Sequence, residues 1–423
     1  MNKTIINNFQ QLLELSGEKR SDSILSINNA IEVQLFEKKG TGFFIGKKGF
    51  RNIWEGIGDN LVIEGNNSKI LINISHCEEN INIFAFLKSS GLKLRNLNIK
   101  VIYTGDPSNR SINLIYNKTK SCLIKDCSFD FYLDNPINIT AIKNAGDVDT
   151  HMETPADGLA IENCHINIFN KSLKAFDTNI LCGISNNRAN SVSISNNYVF
   201  VKNIGAGSSQ QAIGIYNNGR FLRVNNNNIK ANGSHNQGKE LEQCSATAVF
   251  NEGLYMLLTG NNIVGEWGGT CVGLDNRGAY AKIEGNKILA THTIKGRSVK
   301  SHADKCIISN NILTSTSRNP RILEIGGRNN IITGNLMDAL LGPLDCKSGC
   351  GIYGENLKDS IISNNSISGA RDCGIFLKNS LVQLSTNIIS GFSDVALIKE
   401  TADETDVSIE SALSENNITS ISI

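Results

Sequence analysis

One phrase recurs along this chain: an apolar residue, a polar one, Asn or Gly, Asn, any residue, then an apolar one. It reads IEGNNS from Ile63, IENCHI from Ile161, ISNNYV from Ile194, VNNNNI from Val224 and LTGNNI from Leu258. It continues as IEGNKI from Ile283, ISNNIL from Ile308, ITGNLM from Ile332 and ISNNSI from Ile362, with weaker copies at Leu94, Ile124 and Leu384. The fourth position runs Asn66, Leu97, Cys127, Cys164, Asn197, Asn227, Asn261, Asn286, Asn311, Asn335, Asn365 and Asn387. The steps between them are 31, 30, 37, 33, 30, 34, 25, 25, 24, 30 and 22 residues. The shortest units, broken by Gly and Asn, leave no room for a helical hairpin. They do hold three strands of about four or five residues joined by tight turns, and alternation of Ile, Val and Leu with Ser, Asn and Lys has the period of two of a half-buried strand. Stacked about 4.8 Å apart, each strand pairs with its copy one coil on. Asn at the turn tolerates left-handed backbone and can bond its own copy in the next coil, forming a ladder. The early coils, with Leu97, Cys127 and Cys164 in its place, are more apolar there.

The opening fits the same architecture. A Leu-rich amphipathic stretch (Ile5, Phe9, Leu12, Leu13) is followed by SILSINNAIEVQLFEKKGTGFFIGKKGF and DNLVIEGNNSKILI. With these segments and the repeat phrase, the chain from about Gly40 to Asn387 resembles the right-handed parallel β-helix superfamily, the pectin-lyase-like proteins. The resemblance implies an all-β, right-handed parallel β-helix solenoid of about 11–12 coils with a short N-terminal helical cap, which would cover an exposed sheet edge. The boundaries expected are 1–40 for the cap and lead-in, 41–404 for the β-helix and 405–423 for a last coil or C-terminal cap. The superfamily carries lyases, hydrolases, epimerases, transferases and adhesins, so activity has to be argued from a site. The paired Asp-Asp and the Gly-His-Gly of its pectate lyases and polygalacturonases are absent from the coils, whereas its trimeric fructan-cyclising and ring-opening enzymes remain compatible.

Composition narrows the partners. Lys and Arg number 41 against 40 Asp and Glu, which argues against a basic nucleic-acid-binding surface as the main function. No run of about eighteen apolar residues could span a membrane, and the first twenty residues lack the apolar core and cleavage site of a signal peptide. The expected location is therefore cytoplasmic, or alternatively a phage particle. The 11 cysteines, an odd number, sit mostly in apolar strand patterns and read as buried free thiols. Cys346-x-x-x-Cys350 has no second ligand pair and is not a zinc site.

Candidate chemistry comes from counting back from the ladder. Asp275, Lys300 and Glu324 each lie 11 residues before their ladder Asn, and Arg277 and His302 each lie 9 before theirs. Asn251 and Glu252 lie 10 and 9 before Asn261. Equal offsets place these groups in columns one coil apart, on one outward strip. Glu252, Asp275, Lys300 and His302 form the expected reactive set, with Arg277, Glu324 and Asn251 orienting them or the sugar. Two carboxylates could serve glycosidic cleavage as acid with base or nucleophile. Alternatively Lys300 or His302 could remove a proton α to a uronate while Arg277 stabilises the enolate. No metal and no cofactor is needed by either scheme. Two insertions add polar loops: NAGDVDTHMETPADG from Asn144, with Asp149 and His151 as substrate-binding candidates, and GSHNQGKELEQC from Gly233. Trp267, in the Gly-rich GEWGG, suits a sugar-stacking platform. The expectation is a carbohydrate-active enzyme, a glycosidase or fructotransferase-like protein or a β-eliminating lyase or epimerase, acting on a poly- or oligosaccharide as a homo-oligomer, expected to be a trimer. The competing reading is a tailspike or surface protein that grips a polysaccharide without cutting it.

Overall fold

The computed structural model describes residues 2–35, 51–146, 156–172, 179–204, 210–233, 245–339, 349–369, 373–390, 395–400 and 417–418. The chain forms two compact units, residues 1–223 and 224–423. Each is a right-handed parallel β-helix in which a strand pairs in parallel with its counterpart one coil away.

In residues 1–223 the repeat phrase forms one column of strands, with Leu25, Ile63, Leu94, Ile124, Ile161 and Ile194 in register. A second column stacks Ile70, Ile99, Phe129, Ile166 and Val199. A third stacks Trp54, Phe84, Ile115, Ile142, Ile184 and Ile215. All of these side chains are buried, each contributing about 1.5–3 kcal/mol by leaving water. Parallel pairing already starts within the lead-in, because Asn2–Ile6 pairs with Ser23–Ile27, which pairs with Val62–Glu64. The amphipathic opening is thus divided. Ile5 lies in a strand and is exposed, and only Phe9–Glu14 is helical. Asn8 caps that turn by accepting from the Gln11 amide at 2.9 Å, and the Leu12 carbonyl takes the Trp54 Nε1 hydrogen at 2.8 Å.

The ladder position behaves differently in its early and late copies. At Cys127 and Cys164 the thiols donate to the Leu94 and Ile124 carbonyls, 3.8 and 3.6 Å away. Asn197 makes the equivalent bond to the Ile161 carbonyl through its amide at 3.0 Å. Two further interior amide ladders in this unit went unread in the sequence. Asn117 donates to Asn144, Asn144 to Asn186 and Asn186 to Asn217, at 2.7, 2.9 and 2.7 Å. Asn170 donates to Asn203, and Asn203 to Asn179, at 2.9 and 2.7 Å.

In residues 224–423 the expected ladder is continuous. Asn227, Asn261, Asn286, Asn311, Asn335 and Asn365 each donate through Nδ2 to the Oδ1 of the next, ending at Asn387, over 2.9–3.0 Å. The left-handed turn, however, is one residue earlier than the ladder. Asn226, Gly260, Gly285, Asn310, Gly334, Asn364 and Thr386 have φ between 53° and 67°. The phrase therefore divides two tasks between neighbours. Its third residue takes the αL backbone that Asn and Gly tolerate, and its fourth turns inward to bond along the stack.

Candidate functional site

The strip expected on the outside of residues 224–423 is present, in the register the offsets require. Phe250, Asp275, Lys300, Glu324, Tyr353 and Phe376 occupy one column. Arg277 and His302 lie two residues further along their strands. Successive members sit one coil apart, so each faces the next across about 5 Å.

At one end Arg277 holds two carboxylates. Its Nη2 donates to Asp275 Oδ2 at 3.2 Å and its Nη1 stands 3.7 Å from Glu252 Oε1, with the guanidinium 4.6 Å above the Phe250 ring. One guanidinium reaching both oxygens limits their separation to about 9 Å, below the upper end, about 9.5 Å, of the separations at which carboxylate pairs work in glycoside hydrolysis. Asp275 is only 7% exposed, yet its Oδ1 has no hydrogen-bond partner among the described residues. A buried, unsatisfied carboxylate oxygen costs stability and calls for a reason, of which a catalytic role is one. Lys300, the next residue in the column, has no ion pair among the described residues.

At the other end Glu324 is encircled. Arg297 Nε donates to its Oε2 at 2.6 Å, Arg321 Nη1 to the same oxygen at 3.0 Å, and His302 Nε2 lies 3.2 Å from Oε1. Burial alone would raise this carboxyl's pKa. The His302 hydrogen bond, the charge and hydrogen bond of Arg297 and the charge of Arg321 outweigh it, and hold the group far below the usual carboxylate range. Glu324 is therefore a permanent anion that orients two arginines and a histidine, and it has no proton to give at neutral pH. Gly326 makes the room His302 needs, since a Cβ there would fall 2.8 Å from His302 Nδ1.

Beside Glu324 opens a cavity of about 430 Å³, lined by Lys295, Arg297, Asn319, Arg321, Tyr353 and Phe376 among others. Arg321 lies flat on Tyr353, its Cζ 3.6 Å from the ring centre, and Tyr353 stacks on Phe376 at 5.2 Å and 3°. This wall was missed in the sequence, although the signal was there. Arg297 and Arg321 both lie 14 residues before their ladder Asn, and Lys295 and Asn319 both lie 16 before.

Two expected site residues, Asn251 and Trp267, do not join the strip. Asn251 is wholly buried, because its strand turns it inward; it donates to Asn276 Oδ1 at 2.7 Å and to the Gly253 carbonyl at 2.9 Å, in a second interior ladder that continues from Asn276 to Ser301. It braces the strand that carries Glu252 and is in no position to bind a ligand outside. Asp149 and His151 lie outside the described residues, as do residues 234–244 of the second loop. Trp267 occupies a different corner of its coil and stacks on His292 at 4.4 Å and 21°, so one ring face is already taken. Next to it Glu266 pairs with Lys230 at 2.5 Å and accepts from Asn232 at 3.1 Å.

No protein-family model and no curated protein matches the chain. Among solved structures, it is similar to the A-module of a mannuronan C-5 epimerase from Azotobacter vinelandii, at 9% identity over 97% of this chain and 94% of that one, with a TM-score of 0.46. It is also similar to a DFA-IIIase from Arthrobacter chlorophenolicus, solved with DFA-III, at 12% identity over 83% of this chain and 88% of that one, with a TM-score of 0.39. At these scores neither protein's activity transfers to this chain.

Proposed function

We propose that this chain is a carbohydrate-active enzyme that cleaves or rearranges a glycosidic linkage in a poly- or oligosaccharide, with its chemistry at Glu252, Asp275 and Lys300. The observation that carries this reading is the buried Asp275 carboxylate, clamped through one oxygen by Arg277 and left with the other unsatisfied. Glu252, on the same guanidinium, supplies the second carboxylate that acid–base or nucleophilic cleavage needs. A second reading, β-elimination or epimerisation, draws support from Lys300, set between Asp275 and Glu324 and without an ion pair among the described residues, whose amine in its neutral form could take a proton α to a carboxylate. In both readings Glu324, held by Arg297, Arg321 and His302, positions the wall. The DFA-IIIase and the mannuronan epimerase, both named for saccharides, are consistent with the substrate class and do not choose between the reactions.

The test is a panel of poly- and oligosaccharides assayed for reducing ends and for absorbance at about 235 nm, which separates hydrolysis from elimination. Asp275→Asn and Glu252→Gln should each lower turnover by about 10²-fold or more, the range attached to acid–base groups, with an unchanged melting temperature. Saccharide binding without product in the wild type would turn the reading to a surface polysaccharide-binding protein. Full activity in both variants would remove the strip as the site.

We further propose a homo-oligomer, as a trimer. Two columns of exposed aliphatic side chains flank the Asn ladder in residues 224–423: Ile307, Ile331 and Ile361 on one side, Ile312 and Leu336 on the other with Ile388 beyond an intervening Ser366, all six aliphatic residues at least 37% exposed. Contiguous apolar surface of this kind fits a protein interface better than open water.

A further inference from the structure

We infer that the cavity beside Glu324 is a subsite for an anionic unit of the saccharide, a carboxylate or a sulfate ester, read by Arg297 and Arg321. This rests on the carbohydrate reading above and adds the class of sugar. Among the described residues, three cations, Lys295, Arg297 and Arg321, line the cavity, and no Asp or Glu does. Glu324, the carboxylate that the described residues bring to the two arginines, is spent on orienting them. A purely structural ion-pair cluster would balance its charges; this one leaves an excess of positive charge facing open space.

The arginines are also held ready. Each guanidinium has five N–H donors. Arg297 commits Nε to Glu324 and aims Nη1 at the Gly296 and Asn319 carbonyls at 3.3 and 3.4 Å, and its Nη2 has no partner among the described residues. Arg321 commits Nη1, and its Nε and Nη2 have no partner among the described residues. Tyr353 beneath Arg321, itself backed by Phe376, fixes the plane of that guanidinium. A planar donor fork locked on both an aromatic face and a carboxylate loses little freedom when an oxyanion arrives, the condition for bidentate recognition. The volume of about 430 Å³ lies in the range of small-molecule sites, about 300–1,000 Å³. Lys300 and Glu324 are register partners, which puts the cavity one coil from the reactive end of the strip and within reach of the same saccharide chain.

The experiment uses the full chain and three matched oligosaccharides: a uronate-containing one, its carboxyl-reduced neutral counterpart, and the neutral one bearing sulfate esters. Affinity is measured by calorimetry for the wild type, Arg321→Gln and Lys295→Gln, at low and high salt. The wild type should bind one of the anionic forms at least about tenfold more tightly than the neutral form, with the advantage shrinking as salt is raised, and whichever anion gains it identifies the source. Arg321→Gln should reduce that advantage about tenfold while leaving neutral-form affinity within about twofold. If Arg321→Gln does not fold, Lys295→Gln, an exposed change, should reduce the advantage severalfold. A wild type that binds all three forms alike, or a folded Arg321→Gln that keeps the full advantage, overturns the anionic subsite and leaves the carbohydrate reading standing. A wild type that binds none of them, or any other saccharide tried, overturns the carbohydrate reading itself.

Discussion

Replacing Asn311 by Ala removes four hydrogen bonds from the middle of the late ladder. Its Nδ2 donates to Asn335 Oδ1 and to the Ile283 carbonyl, both at 2.9 Å, and its Oδ1 accepts from the Asn286 backbone amide at 2.9 Å and from Asn286 Nδ2 at 3.0 Å. The partners do not suffer equally. Asn286 Nδ2 keeps the Glu284 and Leu258 carbonyls, and Asn335 Oδ1 keeps the Asn311 backbone amide. The Asn286 backbone N–H keeps nothing, and Asn286 is only 2% exposed. An orphaned buried donor costs about 1–3 kcal/mol, and each of the other losses about 0.5–1.5 kcal/mol before its partner's remaining bonds are counted. The expected loss is about 3 kcal/mol. Urea unfolding followed by circular dichroism measures it, and hydrogen exchange at the Asn286 amide localises it, since that proton should become among the fastest of its strand. A loss below about 0.5 kcal/mol with the Asn286 amide still protected would refute the reasoning, and the ladder would then be a consequence of stacking with no part in holding it.

Three other outcomes follow from the same structure. Glu324 has a depressed folded-state pKa, so the stability its ionisation contributes is whole above the unfolded carboxylate value, about 4.3, and is lost as the pH falls below it; the melting-temperature gap between wild type and Glu324→Gln should narrow in acid as the pH falls below that value. Sedimentation should show an oligomer that Ile312→Lys with Leu336→Lys dissociates into single chains, and a wild type already found as single chains would dispose of the trimer. The nine described cysteines are all free and buried, so a thiol reagent should label at least nine of the 11 cysteines of the native protein slowly, as mass spectrometry of timed samples would show.

The fold was readable because its register is written as a residue count. Each ladder bond in residues 224–423 spans the step seen in the sequence, 34 residues from Asn227 to Asn261 and 22 from Asn365 to Asn387. The same count found Asp275, Lys300 and Glu324. What it missed has a physical reason in each case. Arg297 and Arg321 stand on the same strands as Lys300 and Glu324 but three residues earlier, across two successive buried residues, Ser298–Val299 and Ile322–Leu323, that break the alternation a sequence pattern follows. Asn251 looked outward because its neighbour Glu252 is charged, yet both it and the Asn117–Asn217 ladder show that an amide paired to its own copy is at home in the core. The opening looked helical because Ile5, Phe9, Leu12 and Leu13 share a helical face, but Asn2–Ile6 gains a full parallel partner in Ser23–Ile27 as a strand.

The αL corner has a consequence for how such a chain can change. In three coils the stretch from the reactive column to the ladder is the same length, 11 residues, while whole coils differ by up to twelve residues, from 22 to 34, in residues 224–423. The surplus of the longest of them falls in the arc after the ladder, around 233–244, on the other side of the strand that carries Glu252. An insertion in that arc leaves every group of the strip where it was. One added residue between Asp275 and Asn286 would instead swap inward and outward side chains along that segment. Loops can therefore lengthen, and new recognition can arise in them, without retuning the reactive groups, whereas the short segment leading into each corner is closed to insertion.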